Sequence, residues 1–244
     1  MEIPGKIALV TGSARRVGRA IALALAKGGA DVAVHYSSSL ADARQTAGEI
    51  GGLGRRAEVI QADLAEPSGI ERLFEEIRQR FGRLDVLVNN AGVYHRTPIE
   101  TLTAGQWDME MAINARAPAL CIGCSIPLMS SGGAIVNIAD TCADRAWGGF
   151  PAYCASKAAL LSLTVSTSKA LAGRGIRVNA VSPGIAAWPE GTGEDDPQMQ
   201  KVLSRVPMRR AGSPEDIANA VLFLVRNDYI TGQNLRVDGG WNMR

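Results

Sequence analysis

Tyr153 and Lys157 stand four residues apart, so they share one face of any helix that carries them, and Asp140 precedes the tyrosine by thirteen residues (153 − 140). These three side chains could form a proton donor of adjustable acidity. An ordinary tyrosine, with a pKa near ~10, is a poor acid–base catalyst at neutral pH. A cation beside it stabilises the phenolate and draws that value toward the working range. A carboxylate within reach could hold, orient or protonate the hydroxyl. Tyr-x-x-x-Lys alone is a common surface pattern, so the rest of the chain must supply its purpose.

The N-terminus supplies one. Lys6-Ile-Ala-Leu-Val-Thr11 reads as a short apolar strand, and Gly12-Ser13-Ala14-Arg15-Arg16-Val17-Gly18 follows at once. Arg19 to Lys27 continues as an Ala/Leu-rich helix ending at Gly28-Gly29. Strand, glycine turn and helix start bring backbone N–H groups and the positive end of a helix dipole to one point, where a pyrophosphate would sit. The next strand, Asp31 to His35, leads into Tyr36-Ser37-Ser38-Ser39 with no carboxylate before Asp42. A site for NAD places an acid near that strand's end, for the ribose 2′-hydroxyl. Its absence, with Arg15 and Arg16 in the turn and hydroxyl donors nearby, favours NADPH over NADH.

With 244 residues, 46% of them hydrophobic and 20% charged, the chain can bury a core as a single domain, 1–244. A net charge of +2 gives no reason to expect nucleic acid or a membrane surface as partner. The apolar runs are short or interrupted, and none is expected to reach transmembrane length. Met1-Glu-Ile-Pro-Gly5 lacks the basic start and apolar stretch of a signal peptide, so the expected location is cytoplasmic. Cys121, Cys124, Cys142 and Cys154 lack the spacing of a metal cluster, and His35 and His95 are the two histidines. No metal is expected, and the thiols read as small apolar residues.

Apolar strands alternate with amphipathic helices along the chain. Ala57–Asp63 is a third strand, Pro67–Phe81 a helix, and Leu84–Asn89 a fourth strand ending in Asn90-Ala91-Gly92. A helix over Thr103 to Ala115 runs on after Pro118 toward Met129. Gly133–Ile138 is a fifth strand with Asp140 just beyond it, and the Tyr153–Lys157 helix extends to about Ala172. Ile176–Val181 and Asn234–Val237 complete about seven strands. Apolar strands crossed by helices imply an α/β fold, a doubly wound parallel Rossmann-type sheet with helices on both faces. In such sheets ligands bind beyond the carboxyl ends of the strands, where Gly12, Asp63, Asn90, Asp140 and Pro183-Gly184 all fall. The Gly-, Pro- and acid-rich stretch 184–200 reads as a flap over the substrate.

These motifs resemble the short-chain dehydrogenase/reductase family over essentially the whole chain, from the glycine turn through Asn114 and Tyr153-x-x-x-Lys157 to Ile230-Thr-Gly-Gln and Asp238-Gly-Gly. The resemblance implies hydride transfer from a nicotinamide. It makes Tyr153 the acid, has Lys157 bind ribose and lower the tyrosine pKa, and gives Asn114 a proton-relay water. It places the cofactor on Gly12, Ser13, Arg15, Arg16, Val17 and Gly18, then His35, Tyr36 and Ser37. Further along, Asp63, Leu64, Asn90, Ala91, Gly92, Pro183, Gly184 and Ile185 join Tyr153 and Lys157 in that role. A homotetramer built on paired helices follows from the same resemblance.

Two departures are similar to the pteridine reductase branch: Arg16 where most members have glycine, and Asp140 where most have serine. That branch implies a pterin or folate substrate, with Tyr94 stacking on its ring and Arg16, Asp140, Tyr153 and Trp188 completing the substrate site. Serine at position 140 would stabilise a substrate oxygen, whereas a carboxylate would repel a developing alkoxide. Three functions are thus carried forward. The first is NADPH-dependent reduction of a pteridine C=N bond. The second is general carbonyl or 3-oxoacyl-carrier-protein reduction, and the third is NADPH sensing without catalysis.

Overall fold

Ile7-Ala-Leu-Val10 forms strand β1, buried along its whole length, and the other strands repeat its apolar character. They are β2 (Asp31–Tyr36), β3 (Ala57–Gln61), β4 (Val86–Asn89), β5 (Ala134–Ile138), β6 (Arg177–Pro183) and β7 (Asn234–Val237). All pair in parallel in the order β3-β2-β1-β4-β5-β6-β7. The computed structural model describes residues 1–186 and 196–243.

The period-2 alternation of each strand builds two cores. Ala8, Val10, Val32, Val34, Val86 and Val88 face helices α1 (Arg16–Lys27), α2 (Leu40–Gly52) and α8 (Pro214–Arg226), meeting Ile21, Leu25, Ile50, Val221 and Leu224. Ile7, Leu9, Leu87, Ile135 and Val178 face the opposite layer of α3 (Pro67–Phe81), α4 (Ala104–Met111), α5 (Ala117–Ser125) and α6 (Pro151–Ala172), where Leu73, Ile77, Ile122 and Leu171 pack on them. A short helix, α7 (Pro197–Leu203), precedes α8. Truncating a fully buried side chain such as Leu87 to alanine should cost about 2–5 kcal/mol.

Polar pairs then fix the helices that matter for the site. Asn89 donates to Asn137 at 2.8 Å, and Asn137 donates to Thr164 at 2.9 Å, tying β4, β5 and α6 together through the buried layer. Arg177 gives its guanidinium to the carbonyls of Leu224 (2.6 Å) and Val225 (2.8 Å), satisfying orphan acceptors at the end of α8. The chain runs from β1 to β2 on one side and places β4 on the other. The carboxyl ends of β1 and β4 therefore flank a crevice.

The structure differs from the sequence expectation in some strand limits and in one helix. Strand β6 runs on to Pro183, and β4 begins at Val86 rather than Leu84. The helix of residues 104–128 is also continuous over 25 residues, long and apolar enough by length and composition to cross a membrane, contrary to expectation. Pro118 does not break it, because a wide π turn (Ala112–Arg116) joins α4 to α5 and the proline enters in the first turn of α5. Within the protein it packs against α3 and α6 and buries the polar side chains of Glu110 and Asn114 completely.

Candidate active site

The glycine turn is scaffolded from three directions. Gly12 has a left-handed φ of +63°, which glycine adopts without steric cost, and a Cβ on Gly18 would overlap the Gly12 carbonyl oxygen. His35 Nδ1 accepts the Gly12 N–H at 2.9 Å, while its Nε2 donates to the Ala62 carbonyl at 3.1 Å. Burial pushes this imidazole down to about 4, so it stays neutral in that tautomer. From the other side, Asn90 Nδ2 donates to the carbonyls of Thr11 (2.9 Å) and Gly12 (3.2 Å). Thr11 Oγ1 accepts the N–H groups of Asn90 and Ala91, each at 2.9 Å. Arg16, the first residue of α1, has φ +53°, a left-handed conformation that is strained for a side chain of this size.

A cleft of about 910 Å³ opens beyond the carboxyl ends of the strands, of a size suited to a large organic ligand. Its wall includes Gly12, Arg15, Arg16, Val17, Gly18, His35, Tyr36 and Ser37. It also includes Asp63, Leu64, Asn90, Ala91, Gly92, Pro183, Gly184 and Ile185. Ser13 is not in that wall: it is wholly buried, and its Oγ accepts the His35 N–H at 3.1 Å, bracing the turn from behind. His35 also braces more than it reaches out, since both ring nitrogens are engaged.

Asp140, Tyr153 and Lys157 meet at the floor of this cleft. Asp140 leaves the end of β5 and caps a 3-10 turn (Thr141–Ala143), its Oδ1 accepting the Cys142 N–H at 2.7 Å. Its Oδ2 accepts the Tyr153 hydroxyl at 2.8 Å. Lys157 Nζ donates to the Ile138 carbonyl at 2.9 Å and lies 5.7 Å from the centre of the Tyr153 ring. The expected lowering of the tyrosine pKa is not what this arrangement gives. Burial, and then the Asp140 charge, push Tyr153 well above the usual tyrosine range, so it is held protonated. Burial draws Lys157 down, against the raising influence of Asp140.

Aromatic side chains form the wall above. Tyr94 stacks on Phe150 (4.7 Å between centroids, 7° between planes) and meets Tyr153 edge-on at 4.9 Å and 78°. Trp147 contributes a further edge. One face of Tyr94 is thus covered by the protein itself, although the residue is 53% exposed. Trp188 lies outside the described residues, as does most of the expected flap. Met199 and Val202 on α7, with Val206 and Trp241, also line the cleft; no signal marks them in the sequence, because α7 is too short to carry a clear period and the other two lie in connecting segments.

Asn114 sits one turn beyond Glu110, in the π turn that joins α4 to α5. Its side chain does not line the cleft: Nδ2 lies within hydrogen-bond distance of the Val93 carbonyl (3.0 Å), Glu110 Oε2 (2.7 Å) and Ser156 Oγ (3.1 Å), and Oδ1 accepts the Val93 N–H at 3.0 Å. The amide is engaged within the protein, and what Asn114 can still offer lies on the main chain of the π turn. Glu110 was also passed over. The signal was present, for it is a lone carboxylate on the buried face of an apolar helix, one turn before Asn114.

Comparison with known proteins follows the same lines. The family described as Enoyl-(Acyl carrier protein) reductase matches residues 12–242. The 3-oxoacyl-[acyl-carrier-protein] reductase FabG of Staphylococcus aureus is 38% identical over 242 residues, covering 98% of this chain and 98% of its own. The crystal structure of a blue fluorescent protein from a metagenomic library, in complex with NADPH, superposes with a TM-score of 0.94 at 37% identity, covering 99% of this chain and 100% of that one. The promiscuous reductase LugOII, which catalyses keto-reduction at C1 during lugdunomycin biosynthesis, gives a TM-score of 0.92 at 37% identity, with 99% of each chain covered.

Proposed function

We propose, from the premise that this chain belongs to the short-chain dehydrogenase/reductase family, that it is an NADPH-dependent reductase of a ketone, of general carbonyl or 3-oxoacyl-thioester type. The observation that carries the reading is the Tyr153 hydroxyl at the cleft floor, with Lys157 beside its ring and an aromatic wall above it. NADPH supplies the hydride when bound.

The residues of the glycine turn would hold its pyrophosphate, and Arg15, Arg16, Tyr36 and Ser37 its 2′-phosphate side. Asp63 and Leu64 would meet the adenine end. Asn90 to Gly92 and Pro183 to Ile185 would line the path to the nicotinamide. Tyr153 would deliver its hydroxyl proton to the substrate oxygen, and Lys157 would stabilise the phenolate left behind. For this the Tyr153 O–H must turn from Asp140 toward the substrate. Asn114 acts through its backbone, holding the water that returns the proton.

A second reading is favoured by one observation, the 2.8 Å bond from Tyr153 to Asp140. A carboxylate there suits protonation of a ring nitrogen, so a dihydropterin or dihydrofolate remains the competing substrate. Arg16, Tyr94, Asp140, Tyr153 and Trp188 would contact it. Two of the named relatives, the 3-oxoacyl-[acyl-carrier-protein] reductase and LugOII, are described as reducing keto groups, which puts the ketone first. NADPH oxidation with an acetoacetyl thioester, and with 7,8-dihydrobiopterin and dihydrofolate, separates the two, with NADH as control. Turnover on the thioester alone supports the first reading; turnover on a pterin alone overturns it. NADPH binding without turnover of any compound would favour the sensing function.

Four unpaired cysteines fit a reducing, cytoplasmic compartment. The exposed apolar side chains Trp107, Met109 and Val165, on α4 and α6, support association into a homo-oligomer, with the tetramer as the expected form.

A further inference from the structure

Glu110, on α4, is 0% exposed and carries no role in the reaction described above. A carboxylate with no solvent needs several good partners, and an apolar residue would fill the same space more readily. Its partners are specific. Oε2 accepts from Asn114 Nδ2 at 2.7 Å, and Oε1 accepts the His95 N–H at 2.9 Å. Oε1 also lies 3.0 Å from His95 Nδ1, on a ring that is 62% exposed. Asn114 in turn bonds both the N–H and the carbonyl of Val93. The carboxylate therefore grips the main chain on either side of Tyr94, directly at His95 and through Asn114 at Val93.

We propose that Glu110 is a positioning residue for the reductase reaction, holding residues 93–95 so that the Tyr94 ring stays edge-on to Tyr153 at the cleft wall. This rests on the reductase reading. The geometry requires two acceptor oxygens, since both the Asn114 amide and the His95 N–H are donors. Glutamine has the same shape but one acceptor, so Glu110→Gln must leave one of those donors facing an NH2 group. A brace of this kind acts on turnover more than on cofactor affinity, because its targets lie at the substrate end of the cleft.

The test is hydrogen exchange and steady-state kinetics on the full chain, parent against Glu110→Gln. Expected is amide exchange at Val93 and His95 faster by at least about tenfold, with the strands of the sheet unchanged. Alongside it, kcat on the acetoacetyl thioester should fall by about tenfold or more, with the NADPH Kd held within about twofold. Unchanged exchange overturns the proposal. Faster exchange with unchanged kcat also overturns it, leaving Glu110 a brace of the fold alone. Should Glu110→Gln fail to fold, His95→Leu removes the imidazole bond at an exposed position. It should speed exchange at residue 95 and lower kcat, and no change in either overturns the proposal. A parent that reduces none of the test compounds removes the reductase reading by itself, while the exchange measurement still decides whether Glu110 holds the segment.

Discussion

The hydroxyl of Tyr153 donates to Asp140 Oδ2 at 2.8 Å, so the proton meant for a substrate is held by a carboxylate at the end of β5. Removing that charge should ease ionisation of the tyrosine. Asp140→Asn is expected to move the alkaline limb of the kcat/KM profile to lower pH, because a phenolate no longer faces a carboxylate. A pH–rate series on parent and variant reads this directly, and an unmoved limb would show that Asp140 does not govern the acid.

Asp140→Ser separates the two substrates. A serine hydroxyl can donate to a substrate oxygen, so ketone turnover should rise several-fold while pterin turnover falls by about tenfold or more. Parallel initial rates on both substrates decide between them.

Tyr153→Phe should lower kcat by roughly 10²- to 10⁴-fold, the usual span for loss of a general acid, and leave NADPH binding nearly intact. Cofactor titration by fluorescence, beside kcat, checks both halves. Unchanged turnover would remove Tyr153 from the mechanism.

Arg16 occupies a left-handed backbone position that glycine adopts without steric cost and a residue with a Cβ adopts only with strain. Arg16→Gly is therefore expected to be neutral or stabilising by about 1 kcal/mol. Its KM for NADPH should rise by about tenfold, from loss of a charge-assisted phosphate contact. Thermal unfolding and NADPH kinetics read the two effects separately.

His35 makes stability depend on pH. Its folded value is lowered from 6.5 to about 4, so between these limits the unfolded chain binds a proton that the folded chain refuses. Stability from this group is full above pH 6.5, falls as pH drops toward 4, and levels off below. The loss amounts to about 3 kcal/mol. Urea unfolding at pH 7 and pH 4 should show a smaller difference for His35→Gln than for the parent.

The sequence by itself determined the sheet and which candidate residues fall at its carboxyl edge. Strand periodicity, the glycine turn and the Tyr153–Lys157 spacing depend on neighbours a few residues away, and such local patterns survive in a linear reading. Asp140 was legible for the same reason, as a carboxylate just past an apolar strand. What the tertiary structure decided concerns contacts between distant segments. Ser13 and His35 face each other behind the glycine turn, across 22 residues of chain, and brace it there. Asn114 gives its amide to Val93 and Ser156, which no spacing announces. The acidity of Tyr153 belongs here too. Sequence placed a lysine beside it, but burial and the Asp140 carboxylate act on the phenol at closer range, and that balance exists only once β5 and α6 are packed together.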